Sequence, residues 1–545
     1  MRTQPSSAAQ VFTGSEPPAA RRRSVEGAAR GRETQPHEPR RRRGGWTGPG
    51  LAALILLLSG GSAYGAAAGS SWSQFRGPNG QGAAATSHLP SRFGPETNVV
   101  WQTAVPPGHS SPVIWGRHLF LTAYDAADAK ALTVLALDRD QGRSLWRRTV
   151  AAARPAALHP LNTPASSTPV ADEQHLYVYF GTLGLLCYDH AGREVWRRPL
   201  ASPPSKYGMA SSPILDGDHV ILALDGDDGS SRLLALQRDT GATAWDQPRS
   251  LFKAGWSTPM LFHHDGGREL IVLGAKRLTA YDPTTGQERW WVGGFPPETV
   301  GVPVEGDGLL FASAAALGGR GDDQLDAAAT WKMTLAQFDR NHDNQIERDE
   351  MTTGFAFIQR PELPPDNPGY GLPVHNMDTL LRIFDHDKNG VITEQEWMET
   401  MASFAAASHP TLMALRPGAT GDARPSHLAW EIRRGVPEVT SLLYAQHRLY
   451  LLRDGGLLSC LEATTGRELF RDRIGAPGQY IASPVLAGDK ILVASVPGVV
   501  TVLAAGDQLK VLAHNEFHEG IFATPALAGH RLYLRTAGHL YALGE

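Results

Sequence analysis

Two twelve-residue stretches concentrate oxygen-bearing side chains at one spacing: Asp339-Arg-Asn341-His-Asp343-Asn344-Gln345-Ile346-Glu347-Arg-Asp-Glu350 and Asp385-His-Asp387-Lys-Asn389-Gly390-Val391-Ile392-Thr393-Glu-Gln-Glu396. A hard cation such as calcium takes about six to eight oxygens, and this spacing supplies them. Side chains at the first, third and fifth positions serve as ligands: Asp339, Asn341 and Asp343 in one stretch, Asp385, Asp387 and Asn389 in the other. Gln345 and Val391 offer backbone carbonyls, Glu347 and Thr393 a side chain or its water, and Glu350 and Glu396 a bidentate carboxylate. The sixth position needs a left-handed bend, which Gly390 adopts freely and Asn344 tolerates.

The flanks repeat as well. Leu335 with Phe338, and Leu381 with Phe384, share one face of a helix leading into each stretch; Met351 and Trp397 follow the two glutamates. Ile346 and Ile392 occupy the place where two such loops pair. The stretches therefore read as two EF-hand loops, each expected to bind one calcium ion, within an α-helical insertion over residues 316–411.

The surrounding chain is built from a repeat. A small residue and Pro open an apolar strand at Ser111-Pro112-Val113, Thr168-Pro169-Val170, Ser212-Pro213-Ile214, Thr258-Pro259-Met260, Val302-Pro303-Val304, Ser483-Pro484-Val485 and Thr524-Pro525-Ala526, with Ser441-Leu442-Leu443 as a variant. A second signature is a strand ending in an acidic turn, then Gly, then Trp: Asp138 to Gly142 and Trp146, Asp189 to Gly192 and Trp196, Asp239 to Gly241 and Trp245, Asp282 to Gly286 and Trp290, Glu462 to Gly466 and Phe470. Each unit holds about four short strands, one propeller blade. The interval from Pro303 to Leu442 is longer, and removing about 95 residues restores the period.

Each residue type has a physical role. Pro opens a strand where no ladder donor is needed, Gly supplies positive φ in the turns, and Trp is a flat plug for the wedge between blades. The expected fold is all-β, an eight-bladed β-propeller with the EF-hand insertion in blade 5, closed by a strand around Trp101 that completes the last blade. Propeller residues span 69–315 and 412–545.

The turn-Gly-Trp repeats and the opening Trp72-Ser-Gln-Phe-Arg-Gly-Pro-Asn-Gly80 resemble pyrroloquinoline-quinone-type (PQQ-like) propellers, over residues 72–315 and 412–545. The resemblance implies the fold; propellers host many unrelated activities. Many quinone-dependent alcohol dehydrogenases of that family place an adjacent, bonded cysteine pair against the quinone. Here Cys187 and Cys460 stand in the same repeat slot of blades 2 and 6, far apart across the ring, and read as small buried apolar residues. No Asp/Glu/Asn set maps onto that family's quinone–calcium site, so PQQ is not an expected cofactor.

A ligand or peptide partner is expected at the channel mouth, on loops carrying His109, Asn162, Lys206, Tyr207, Lys253, Trp256, Glu298, Glu438, Tyr480 and Glu519. His514-Asn-Glu-Phe-His518-Glu519 reads as polar residues of an inter-blade connection, and Asp225-Gly-Asp-Asp-Gly229 as a hairpin tip.

Composition agrees with a turn-rich globular protein: Gly 58, Pro 39 and 19% charged residues in 545. A net charge of −4 speaks against a nucleic-acid partner. Residues 1–68 carry Arg21–Arg23 and Arg40–Arg43, then the apolar run Leu51–Leu58, then small residues from Ser62 to Ala68. That is the pattern of a cleaved signal peptide, with an apolar run well short of the roughly 20 residues of a membrane span. No transmembrane anchor is expected, and with no Cys after the run, no lipid attachment. The protein is expected in the periplasm or secreted, as a non-catalytic calcium-binding module or scaffold. The rival readings are a quinone-dependent oxidoreductase and an envelope protein-assembly factor.

Overall fold

The computed structural model describes residues 71–84, 89–156, 158–159, 161–316, 327–351, 355–359, 371–374, 376–407 and 409–544. The signal segment expected over residues 1–68 lies outside them.

Eight sheets form the blades, each with four antiparallel strands, and those of blades 4 and 7 add a short parallel fifth. Blade 1 runs Val113–Trp115, His118–Tyr124, Ala131–Asp138 and Ser144–Ala151. Its two middle strands are almost wholly buried, while the fourth is mostly exposed, with Trp146 its one buried residue, as an outer edge should be. Blade 8 takes Ala526–Ala528, Arg531–Arg535 and His539–Leu543, and borrows Val99–Ala104 as its fourth strand, with Trp101 opposite Ala542. The ring is thus closed by pairing residues from near both ends of the propeller sequence.

Both sequence signatures work between blades. Trp146 Nε1 donates to the carbonyl of His190, Trp196 to Arg238, Trp245 to Pro283, Trp430 to Ala463 and Trp101 to Arg139. Each indole lies on the turn glycine of the next blade: Gly142 has φ +69°, and a Cβ there would stand 2.4 Å from Trp101. Trp290 departs from the pattern, donating to the buried carboxylate of Glu269, and its strand gains the short extra strand Gly421–Asp422 from blade 5. The Ser/Thr of six of these strand-opening signatures accepts from the backbone N–H of the same slot one blade back. Ser111 N reaches Thr168 Oγ1, Thr168 N reaches Ser212 Oγ, Ser212 N reaches Thr258 Oγ1, Val302 N reaches Ser441 Oγ, Ser441 N reaches Ser483 Oγ and Ser483 N reaches Thr524 Oγ1.

The opening segment runs along the first strands, which contact their neighbours round the ring. Trp72 exchanges backbone hydrogen bonds with Ile114 of blade 1, and Ser73 accepts from Ala171 of blade 2. Asn79 binds Leu261 of blade 4 through both its side-chain atoms. Gln81 accepts from Glu305 of blade 5, Arg76 donates to Leu442 O beside blade 6, and Ala83–Ala84 pairs with blade 7. One short peptide therefore ties six blades together.

One reading of a polar cluster needs correction, and a second, the hairpin tip at Asp225–Gly229 between His219–Leu224 and Arg232–Gln237, holds but gains a buried ion pair. His514 sits in the fourth strand of blade 7, Val511–Glu516, bonded to Thr501, and not in a connection. Asp225 stands at the buried base of its hairpin, where Arg249 donates to both its oxygens at 2.9 Å. Alternation of polar and apolar residues concealed the first, and the partner 24 residues away concealed the second. Cys187 and Cys460 are free and buried, and burial pushes the Cys460 thiol up to about 12.

Candidate metal centre

The insertion joins the second and third strands of blade 5, Leu309–Ala314 and Thr411–Leu415, which pair directly. Its ends therefore lie side by side, with Ala314 opposite Thr411. Helix α1 (Ala327–Phe338) leads into the first loop, α2 (Met377–Phe384) into the second, and α3 (Glu394–Ala407) leaves it. Asn376 caps α2 by accepting from Thr379 N, and Asp378 in the first turn suits the helix dipole. After the first loop, the described residues form an antiparallel strand pair, Phe355–Gln359 with Gly371–Val374, and include no exit helix there. The sequence Thr352-Thr353-Gly354, with Pro361, Pro364 and Pro365 beyond, favours that outcome.

The two loops meet as a short antiparallel ribbon, Ile346 opposite Ile392 and Glu347 opposite Val391. Behind it Phe338, Ile346, Met351, Leu381, Phe384, Ile392 and Trp397 are buried in one cluster, with Leu335 at its edge. Trp331 and Met401 join that cluster, and Trp397 stacks on Phe384 at 4.3 Å. Hydrophobic spacing alone had not singled out Trp331, which lies two turns before the loop.

In the second loop one oxygen each from Asp385, Asp387 and Glu396 lies within 4.8 Å of the others. Gly390 has φ +87° and its N–H donates to Asp385 Oδ2 at 2.9 Å. Glu396 Oε1 accepts from His386 N, and Oε2 from Thr393 N and Oγ1. Burial works against the charge of Glu396, yet those hydrogen bonds hold its carboxyl below the ordinary range. Asn389 reaches Asp387 and turns its Oδ1 to Val391 N.

The first loop repeats the wiring. Glu350 Oε1 accepts from Arg340 N at 2.9 Å and Oε2 from Glu347 N at 3.0 Å. Asn344 has φ +63° and donates its N–H to Asp339 Oδ2; Asp343 accepts from Gln345 N. Asp339 Oδ1 is shielded from solvent without a partner. An orphaned carboxylate oxygen at the first ligand position is what a cation would satisfy, so the donor set fits calcium. Partial burial, then Asp343, Glu350 and Asp349, raise the Glu347 carboxyl above its usual range. His342 and Lys388, at the fourth position of each loop, also take left-handed backbone (φ +61° in both), a feature the motif did not announce.

The channel-mouth candidates fall into three places. Asn162, Lys206, Tyr207, Trp256 and Glu298 come together: Tyr207 meets Trp256 edge-on at 5.1 Å, and Lys206 lies 4.8 Å over the Tyr207 ring and 3.3 Å from Glu298. Asn162 Nδ2 donates to Tyr207 O, Trp256 Nε1 to Gly208 O, and the nearby Lys253 Nζ to Asp227 O. Glu438 and Tyr480 line a separate small pocket, where the buried Tyr480 hydroxyl donates to Ala476 O. His109 stacks on Phe522 at 4.3 Å, while Glu519 accepts from Thr536, Gly538 and His539. Several of these groups hold loops together, which exposure patterns in sequence do not distinguish from ligand contact.

Among the described residues no helix is long and apolar enough to cross a membrane. Fold and loops define an eight-bladed β-propeller carrying an inserted EF-hand unit. A family model of PQQ-type repeats, described as outer membrane protein assembly factor BamB, matches residues 95–226, 130–293, 229–345 and 419–544; the chain belongs to that family. An EF-hand model matches residues 377–402, covering the second loop. No curated protein matches the sequence. Similar solved structures include BamB from Moraxella catarrhalis (13% identity, 82% of this chain and 98% of that one, TM-score 0.45). Another is quinohemoprotein alcohol dehydrogenase from Comamonas testosteroni (13% identity, 88% and 81% covered, TM-score 0.44). At such scores the fold assignment rests on the sheet topology itself.

Proposed function

We propose that the protein is an exported, non-catalytic binding or scaffold module whose insertion takes two calcium ions and whose channel mouth receives a protein or small-molecule partner. The observation that carries the calcium reading is the convergence of Asp385, Asp387 and Glu396 on one point, within a loop whose remaining hydrogen bonds are already made. Asp385, Asp387, Asn389, Thr393, Glu396 and the Val391 carbonyl would hold one ion. Asp339, Asn341, Asp343, Glu347, Glu350 and the Gln345 carbonyl would hold the other. Calcium would neutralise carboxylates that otherwise repel one another. Calorimetric titration of the full chain tests this: two ions bind with dissociation constants on the order of 10⁻⁴ to 10⁻³ M, and Glu396→Gln removes one. No calcium heat at millimolar concentration overturns it.

The non-catalytic reading has its own test. Reconstitution with pyrroloquinoline quinone and calcium, followed by a dye-linked assay over alcohols and sugars, gives no turnover above buffer. The family match favours a protein partner over a small molecule. Capture from envelope extract with and without chelator should return a defined partner if assembly is the role.

A further inference from the structure

The seam where blade 8 meets blades 1 and 2 encloses a cavity of about 70 Å³, with His109, Tyr124, Phe522, Arg535 and Ala537 in its wall. One water needs roughly 10–15 Å³, so an occupant of a few heavy atoms has room. The wall contains a cation and no Asp or Glu. Arg535 is 1% exposed. Its Nη1 donates to Ser110 O, Ser110 Oγ and Thr122 O at 2.8–3.0 Å, and its Nη2 to Pro106 O at 3.0 Å, all neutral acceptors. The Nε–H is shielded from solvent and meets no acceptor. Glu519 braces the same hairpin through Thr536, Gly538 and His539, and Arg535 makes no bond to it.

Arg249 shows the alternative: equally buried, it is matched by both oxygens of Asp225 and by the Tyr281 hydroxyl; Arg76, also buried, donates only to the carbonyls of Gln81 and Leu442, but it does not line this cavity. A buried cation without a counter-charge is costly, and the usual remedy is a partner. Burial lowers the Arg535 guanidinium only to about 9, so it stays charged at neutral pH. Burial and then the Arg535 charge hold His109 at about 4, leaving a neutral ring able to donate or accept one hydrogen bond.

We propose that this seam cavity binds a compact carboxylate, of the size of formate or acetate, which supplies the counter-charge that Arg535 lacks. The site goes beyond the calcium and partner reading above, and its failure leaves that reading untouched.

Calorimetric titration of the full chain, at fixed calcium, compares sodium acetate with its neutral isostere acetamide. Acetate binding saturates and is at least about tenfold tighter than acetamide, as charge-assisted hydrogen bonds require. Ala537→Leu, at an exposed rim position, fills the opening and abolishes acetate binding while its thermal midpoint in acetate-free buffer stays at the wild-type value. Arg535→Gln, where it folds, weakens acetate by about tenfold to a hundredfold. Equal binding of acetamide, absence of acetate heat, or an Ala537→Leu protein that binds acetate like the wild type overturns the proposal.

Discussion

The propeller ring and the insertion treat polar groups in opposite ways. In the ring, indole N–H groups end on turn carbonyls, Ser and Thr hydroxyls accept from the neighbouring blade, and Arg249 is answered by Asp225. These contacts need nothing from outside the chain. In the insertion, three carboxylates of the second loop face one another and Asp339 Oδ1 of the first has no partner. Its apolar core is a single cluster behind a two-residue ribbon. Outside the Arg535 cavity the ring's stability is therefore internal, whereas on the proposed calcium reading order in the insertion should depend on a cation.

The largest expected effect breaks the ring from within. Asp225→Ala leaves Arg249 buried without its carboxylate, and removing one partner of a buried pair costs about 3–5 kcal/mol. Urea unfolding should show that loss with and without calcium alike. A loss that calcium rescues would show that the two regions are not separate.

Next comes the ion. Chelation should raise amide exchange over residues 327–407 and leave the blades protected, and replacing residues 317–411 by a short Gly/Ser linker should leave a cooperatively folding ring. Calcium at about a hundred times its dissociation constant should stabilise the insertion by about 2.7 kcal/mol for each ion bound. Exchange spreading through the blades on chelation would make the hands part of the ring.

Acid separates the regions by another route. Burial opposes the charge of Asp138, but N–H groups of Asp140 and Gln141 and the Arg117 guanidinium outweigh it and hold the carboxyl below its ordinary range. Asp189 and Asp282, in the same turn of blades 2 and 4, are depressed likewise. A depressed carboxylate contributes stability that is fully present above the unfolded value of about 3.9 and is lost as pH falls through the folded value. Ring stability in urea should thus decline from about pH 4 downward at saturating calcium, and Asp138→Asn should flatten that slope.

The parts legible in sequence were those written locally. Ser/Thr-Pro and Gly-Trp repeats give the blades because each encodes a turn or a plug between neighbours, and the candidate ligands of each loop stand within twelve residues. What could not be read depends on distant partners. Asp225 looks like any turn residue until Arg249 folds against it, and Trp72–Ala84 gives no sign that it will reach six blades. The mouth loops carry polar residues whichever way they point: Trp256 and Tyr480 prove buried and bonded, while Lys206 is exposed.

The smallest expected effect concerns a place where the ring's own pattern lapses because the residue type itself changes. From blade to blade, a backbone N–H reaches the hydroxyl of the next Ser/Thr-Pro slot, but blade 5 presents Val302, which has no hydroxyl to offer Thr258. Val302 is 3% exposed and packs in the cluster with Met260 and Phe75, so at this slot the seam has apolar contact beside the bond from Ser257 Oγ to Gly301 O at 2.9 Å. Thr is close to Val in shape, and its Oγ1 replaces one methyl. If Val302→Thr turns that oxygen toward Thr258 N, as Thr168 does toward Ser111 N at 2.9 Å, the ring should gain about 1 kcal/mol. If the hydroxyl instead faces the apolar cluster, it costs about 1–3 kcal/mol, the usual result of burying an unmatched polar group. The urea midpoint of this variant therefore reads directly whether the blade 4–5 seam shares the geometry of the others or has been rebuilt around Phe75 and the added strand Gly421–Asp422.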